Sequence, residues 1–420
     1  MADSGNEPES KRKPGPPPQP PLREEDLQGY KFFKRIGKLL GALHGCAAHR
    51  NRKLHYDEYA ALVLFYFFNP AITSLRGLQR ASEFAKVQER LGLRRMSLGS
   101  MSESVRLFDP ELLARIFEEL AGAAPERSAD PRLKALHQIV TVADGSLFRA
   151  LPRMAWAVWL SDTDRAVKAH VQFEVLKCAP ARLDLTTGQG AESDALAARL
   201  EAGRLYLLDR GYRSFKLLQE IVDADSSFVL RLGENAIYEC LEEKAITPEA
   251  AAARVTFDAI VRLGCRQARQ KLELPVRLVR VSVPASAPRG LGYPVKRVHS
   301  KKTIRRPPGE AHELLIVTDR LDLPADVIAL LYQHRWRVEL FFRLLKCVFG
   351  CRHLLSDSYE GVSIQLYAAL IATLLLAEYT GQRPSKRTYE LVALYLQGWV
   401  SDDELRAHLA RLQGRAAKTG

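Results

Sequence analysis

Two aspartates close apolar, β-leaning runs: Asp144 in VTVADGS and Asp209 in LYLLDRGY. A carboxylate at a strand end leaves the apolar face of a sheet and reaches its carboxyl edge, where open α/β sheets bind ligands. Glycine follows each acid within two residues, Gly145 and Gly211, so either turn can approach a ligand closely. Taken singly, each acid could equally be a turn or capping residue. A third acid has company. Tyr332, Arg335, Glu339 and Lys346 stand at offsets of 0, 3, 7 and 14. At about 100° per residue these fall on one narrow helical stripe about 21 Å long. One carboxylate among two cations and a phenol suits a metal-holding acid flanked by phosphate-binding groups. A solvated helix face with an Arg335–Glu339 ion pair four residues apart is the alternative.

The elements around these residues read as α/β. Residues 1–23 hold Pro-rich sequence with Lys11, Arg12 and Lys13; so little apolar surface predicts a disordered tail. From 24 to 130 the pattern is helical. Tyr56–Pro70 predicts an apolar helix stopped at Asn69-Pro70, and a second runs from Ser74 through LQRASEFAKVQERLG. A third begins at Asp109-Pro110, a capping acid before a first-turn proline. Residues 131–234 alternate strand and helix, which predicts a mixed sheet. Residues 235–312 lean to β, with LPVRLVRVSVP as the clearest strand. Helices return over 313–380, and 381–420 ends in SDDELRAHLARLQGR, with a capping box from Ser401 to Glu404.

Composition narrows the classes. Lys+Arg exceed Asp+Glu by 62 to 49, a formal charge of +13, which favours a polyanionic partner, nucleic acid or an anionic membrane surface. The apolar stretches Leu62–Phe68 and Leu366–Ala377 are too short for a membrane span and read as buried helices. The first residues, MADSGNEPESKRK, lack a signal peptide's apolar run, which predicts a cytoplasmic, nucleoid-associated protein. Six scattered cysteines in a chain of 420 residues fit reduced thiols better than a disulfide framework.

Y-x2-R-x3-E-x6-K, written by Tyr332, Arg335, Glu339 and Lys346, resembles at every spacing the signature of the insertion-sequence-four family of bacterial transposases. Asp144 in DGS and Asp209 in DRGY are similar to that family's first and second catalytic aspartates, and NPAITSLRGLQRASE resembles its amino-terminal region. The resemblance covers most of residues 40–380; the Pro-rich tail lies outside it. It implies a ribonuclease-H-like catalytic core interrupted by a β-rich insertion at about 235–312, with Asp144, Asp209 and Glu339 as catalytic, metal-holding residues. Three carboxylates converging in a basic site suit two divalent ions, Mg²⁺ or Mn²⁺. The family further implies cleavage at element ends, hairpin formation, strand transfer, and a homodimer that synapses two ends.

DNA contacts are expected from Tyr332, Arg335 and Lys346, from Arg210 beside Asp209, and from a basic loop at 289–306. That loop carries Lys301, Lys302, Arg305 and Arg306 and no acid, a composition for salt-sensitive phosphate binding. Arg76, Arg80 and Lys86, expected on one helix, would serve the helical end-binding region; a helical bundle whose apolar faces merely pack is the alternative. Cys347-x3-Cys351-x-His353 lacks a fourth ligand at zinc spacing and reads as thiols rather than a metal site. Two other classes compete: a catalytically silent DNA-binding protein, and a ribonuclease-H-type nuclease of another purpose. Intact acids oppose the first, and the Tyr-Arg-Lys set around Glu339 opposes the second.

Overall fold

The computed structural model describes residues 22–27, 29–30, 33–46, 54–127, 130–150, 154–157, 164–264, 272–284, 312–347, 349–351, 353–380 and 386–419. The expected tail up to residue 21 and the basic loop with Lys301, Lys302, Arg305 and Arg306 lie outside the described residues. Helices come first: α1 (Phe33–Gly41), α2 (Tyr56–Phe67), α3 (Leu75–Ala81), α4 (Ala85–Leu91), α5 (Leu98–Ser104), α6 (Pro110–Ala123) and the one-turn α7 (Pro131–Lys134). Their ends follow local chemistry. The Asn69 side chain donates to Phe65 O at 2.7 Å and closes the end of α2. Asp109 accepts from Glu111 N ahead of Pro110 and starts α6. The expected long helix from Ser74 is instead two, so Lys86 is not on the helix of Arg76 and Arg80. Ser82 breaks it: its hydroxyl bonds Gln79 O at 2.6 Å and accepts from Met96 N at 3.1 Å, a local alternative to the helical ladder.

The middle of the chain gives β1 (Ile139–Arg149), β2 (Ala166–Glu174), β3 (Ala179–Thr187), α8 (Glu192–Ala197), β4 (Arg204–Leu208), α9 (Phe215–Asp223) and β5 (Ser227–Leu232). Then follow β6 (Tyr238–Glu243), α10 (Pro248–Ala252), β7 (Val255–Leu263), β8 (Val276–Val283) and β9 (His312–Thr318). Among the described residues, nine strands join one mixed sheet in the order β3-β2-β1-β4-β5-β9-β8-β7-β6. Pairing is parallel for β1–β4 and β4–β5 and antiparallel elsewhere. The strands of the β-rich 235–312 stretch therefore extend the same sheet beyond β9.

Side chains alternate faces along a strand, and the two apolar clusters divide accordingly. Val140 and Val142 of β1, Leu205 and Leu207 of β4 and Val229 of β5 pack into one cluster with the helices at the two chain ends. Tyr206 and Leu208 of β4, with Phe228 and Leu230 of β5, pack into the other, with Leu217 and Ile221 of α9. Covered on both faces, β4 is buried throughout, as a central parallel strand must be.

Helices resume with α11 (Ala325–His334), α12 (Trp336–Cys347), α13 (Tyr359–Thr380), α14 (Lys386–Leu396) and α15 (Asp402–Thr419). The single helix expected across 332–346 is interrupted at Arg335. There Arg335 N donates to Tyr332 O at 3.2 Å and Val338 N to Arg335 O at 3.3 Å, a three-residue reach that tightens the turn. The apolar stretch at Leu366–Ala377 lies in α13, within the helical return expected over 313–380. α13 spans 22 residues and is apolar enough to cross a membrane, yet it is almost wholly buried in the protein. It packs against α2, α6 and β3, and a helix apolar all round is the core helix such packing requires. The capping box of α15 forms, with Ser401 N donating to Glu404 Oε2 at 2.8 Å and Glu404 N to Ser401 Oγ at 3.2 Å.

Candidate active site

The parallel ladder between β1 and β4 stops at Val142 and Leu207, while β1 continues antiparallel to β2 as far as Arg149. Asp144 thus lies within a strand, not at its end as the sequence suggested; what ends there is the pairing with β4. Asp144 and Asp209 each stand two residues beyond the last parallel pair. Their parity is that of Val142 and Leu207, which face the helical side of the sheet. Asp209 leaves β4 and caps a 3₁₀ turn, Arg210–Tyr212, by accepting from Gly211 N. Asp144 Oδ1 accepts from Gly145 N at 2.9 Å.

The third acid arrives from α12, which packs on β1 and buries Val338, Phe341 and Leu345 in the same apolar cluster as Val140 and Val142. Glu339 lies in its first turn. Between the acids stands Arg335: its guanidinium pairs with Glu339 and reaches Asp144 Oδ2 at 3.7 Å. The Arg335–Glu339 pair of the bland alternative therefore exists, but it is turned inward onto Asp144. Burial raises the Asp144 pKa to about 7 against the pull of Arg335, and Asp209 and Glu192 add to the rise. Burial also raises Glu339, opposed by Arg335 and helped by Asp209. The acids repel one another across one site.

Other expected residues take distinct places. Tyr332 is buried; burial raises its phenol against Arg335 and Arg231, and its ring lies 5.9 Å from the Arg335 guanidinium carbon. Lys346 donates to Ser146 Oγ at 2.7 Å and sits 4.9 Å from the Phe148 ring centroid, docked along β1 just past Asp144. Arg210 is exposed beside Asp209. Arg76, Arg80 and Lys86 are exposed on α3 and α4. Cys351 is buried and Cys347 exposed.

Glu192 and Lys168 belong to the site and were not legible in the sequence. Glu192 begins α8 on the opposite side of the sheet, with Lys168 Nζ 3.6 Å from its Oε1. Burial raises its pKa, with Lys168 opposing and Asp209 adding. Neither residue carries a motif; the only trace is an acid opening a helix soon after the Gly188–Gly190 turn.

A divalent cation fits these donors in kind. They are carboxylate oxygens, the ligands a hard ion takes, and backbone amides already orient Asp144 and Asp209. A Cβ at Gly145 or Gly211 would meet carboxylate oxygens, of Glu192 at the first and of Asp209 and Glu192 at the second. Among the described residues no three acid, histidine or cysteine side chains already surround one ion-sized point, and Arg335 supplies the positive charge between Asp144 and Glu339.

The mixed α/β sheet carries its clustered acids at the carboxyl edge of its parallel strands, where open α/β sheets bind their ligands. Residues 136–375 match the family described as the transposase DDE domain, and the chain belongs to that family. It is 30% identical over 216 residues to the candidate transposase y4zB of Sinorhizobium fredii, covering 50% of this chain and 53% of that protein. It is 25% identical over 225 residues to the transposase ascribed to insertion sequence element IS5377 of Geobacillus stearothermophilus, covering 53% and 52%. The chain thus spans about half the length of the curated relatives it matches. A solved piggyBac transposase synaptic complex with hairpin DNA aligns over 91% of this chain and 84% of its own, at 11% identity and a TM-score of 0.39. That likeness is too distant to bear on the site.

Proposed function

We propose that this chain is a DNA transposase of a bacterial insertion sequence, of the insertion-sequence-four type. It binds the element's ends and carries out metal-dependent cleavage, hairpin formation and strand transfer, a cut-and-paste transposition. The observation that carries the reading is the nearness of Asp144, Asp209 and Glu339, with Arg335 between Asp144 and Glu339. Strand order β3-β2-β1-β4-β5, with β2 antiparallel to β1, supports a ribonuclease-H-like core. On this reading residues 24–130 form the end-binding helical region, 131–234 and 313–380 the two parts of the core, 235–312 its insertion, and 381–420 a C-terminal helical region. The partners are the terminal repeats, target DNA and a second copy of this chain in a synaptic complex. The protein would work at the bacterial nucleoid in the cytoplasm.

Asp144, Asp209 and Glu339 would hold Mg²⁺ or Mn²⁺, two ions in all. Such ions, when bound, supply Lewis-acid stabilisation and an activated oxygen nucleophile for phosphoryl transfer. The chain's own residues do the rest. Amides of Gly145 and Gly211 fix the rotamers of the two aspartates. Arg335 yields its carboxylate partners and turns its planar fork to the phosphate, a geometry guanidinium suits. Tyr332 backs Arg335 from below. Lys346, held on Ser146 two residues beyond Asp144, would reach the backbone of DNA lying along β1, and Arg210 flanks the other aspartate. Lys301, Lys302, Arg305 and Arg306 add sequence-independent phosphate affinity.

Asp144→Asn, Asp209→Asn and Glu339→Gln are each expected to lose Mg²⁺- or Mn²⁺-dependent cleavage of an element-end duplex, while gel-shift binding of that duplex persists. Cleavage retained by any one of the three refutes its place in the triad.

A further inference from the structure

We infer that Glu192 is a positioning residue for the acidic site: tethered by Lys168, its carboxylate is the spacer between the stretch of β1 that carries Asp144 and the turn that follows Asp209. The inference rests on the metal-dependent reading proposed above. Asp144 and Asp209 address the helical side of the sheet, and the glycines after them open toward the other side. Glu192 reaches through that opening. Its Oε1 lies 2.7 Å from where a Cβ on Gly145 would stand, and its Oε2 lies 3.2 Å from the same point on Gly211. One carboxylate therefore fills the space behind both glycines, one oxygen to each. No side chain larger than hydrogen fits at Gly145 unless Glu192 withdraws.

Lys168 holds that arrangement. Its ammonium is 3.6 Å from Glu192 Oε1 and donates to Gly190 O at 2.8 Å, so it fixes both the carboxylate and the turn leading into α8. Gly190 is equally constrained, since a Cβ there would meet Thr186 Oγ1 at 2.2 Å. Lys168 sits on β2, the strand beside β1, opposite Leu147. The tether thus ties α8 to β2, the strand paired with the one that carries Asp144. Side chains of Lys168 and Glu192 keep only 16% and 24% of their exposure. A carboxylate so withdrawn from water is costly beside other acids unless something is gained. What it adds is fixed negative charge and fixed spacing, the properties that raise affinity for a divalent ion at the neighbouring aspartates. Supporting groups of this kind typically carry ten- to a hundredfold in metal affinity.

The test uses the full chain and Mn²⁺ alone. Glu192→Gln keeps the packing behind Gly145 and Gly211 and removes the charge. We expect Mn²⁺ affinity, read by titration calorimetry, to fall about tenfold or more. In chelator its unfolding temperature should be no lower than that of the unsubstituted protein. If Glu192→Gln does not fold, Lys168→Gln, which releases the tether, must show the same loss of affinity. Mn²⁺ affinity equal to the unsubstituted protein in the folded variant overturns the role of Glu192 and leaves the triad standing. No Mn²⁺ uptake by the unsubstituted protein overturns the metal-dependent reading itself, and the role of Glu192 with it.

Discussion

Removing the charge of Asp144 should stabilise the metal-free protein while destroying its activity. The group's folded pKa is raised from 3.8 to about 7, chiefly by burial and further by Asp209 and Glu192. A carboxyl raised in the folded state contributes stability that is complete below its unfolded pKa and is lost as pH climbs through the folded value. Over that full span the linkage amounts to about 4 kcal/mol, at about 1.4 kcal/mol per pH unit. The side chain keeps 19% of its exposure, so partial solvation should leave roughly half of this, ~2 kcal/mol. Asp144→Asn keeps the acceptor for Gly145 N, and Arg335 keeps Glu339 as a partner, so no buried cation is orphaned. Urea unfolding in chelator should therefore find the variant more stable than the unsubstituted protein by ~2 kcal/mol near pH 8 and nearly equal near pH 4. Saturating Mn²⁺ should shrink or reverse the difference near pH 8, because only the unsubstituted protein gains the full binding energy. Equal stability at both pH values in chelator would refute the crowding of charge on which the site's reading depends.

Two further outcomes concern the frame that holds the site. Asp258→Ala should cost about 3 kcal/mol or more in urea unfolding. It strips a bidentate partner from Arg277, whose remaining contacts are the carbonyls of Leu321 and Leu323 just before α11; a loss below about 1 kcal/mol would show that the pair is not buried as described. Gly29→Ala should cost about 1–3 kcal/mol, since Gly29 has φ +83° and its added Cβ would lie 2.4 Å from Phe68 Cβ. Thermal unfolding unchanged by that substitution would argue against the seating of Gly29 on the end of α2.

How far the sequence reached can be judged residue by residue. Alternation and apolar runs placed β1, β4 and β5, because a strand's period of two shows in any half-buried stretch. Capping chemistry placed the starts of α6 and α15, since their bonds are made within four residues. Breaks were harder. The stop at Ser82 depends on Met96, fourteen residues away, and the tightened turn at Arg335 carries neither glycine nor proline to announce it. Polar residues such as Ser363, Gln365 and Thr373 interrupt the apolar run of α13, yet they are buried with it. Ser363 and Thr373 bond carbonyls of their own helix, whereas Gln365 accepts from Leu355 N and donates to His353 O.

The sequence by itself determined the chemistry on offer: three acids of the right type and order, a signature around the third, and an excess of positive charge suited to nucleic acid. Those are properties of residue identity and short spacing, which local rules can read. Tertiary structure decided which charges meet. It brought Arg335 between Asp144 and Glu339 and docked Lys346 on Ser146. It also passed Glu192 through the gap behind Gly145 and Gly211 to join them. Glu192 and Asp144 lie on different elements and approach from opposite faces of the sheet. Their proximity follows from the register of β1 against β4 and β2 and from the missing side chains of two glycines, and neither is a local property of the chain.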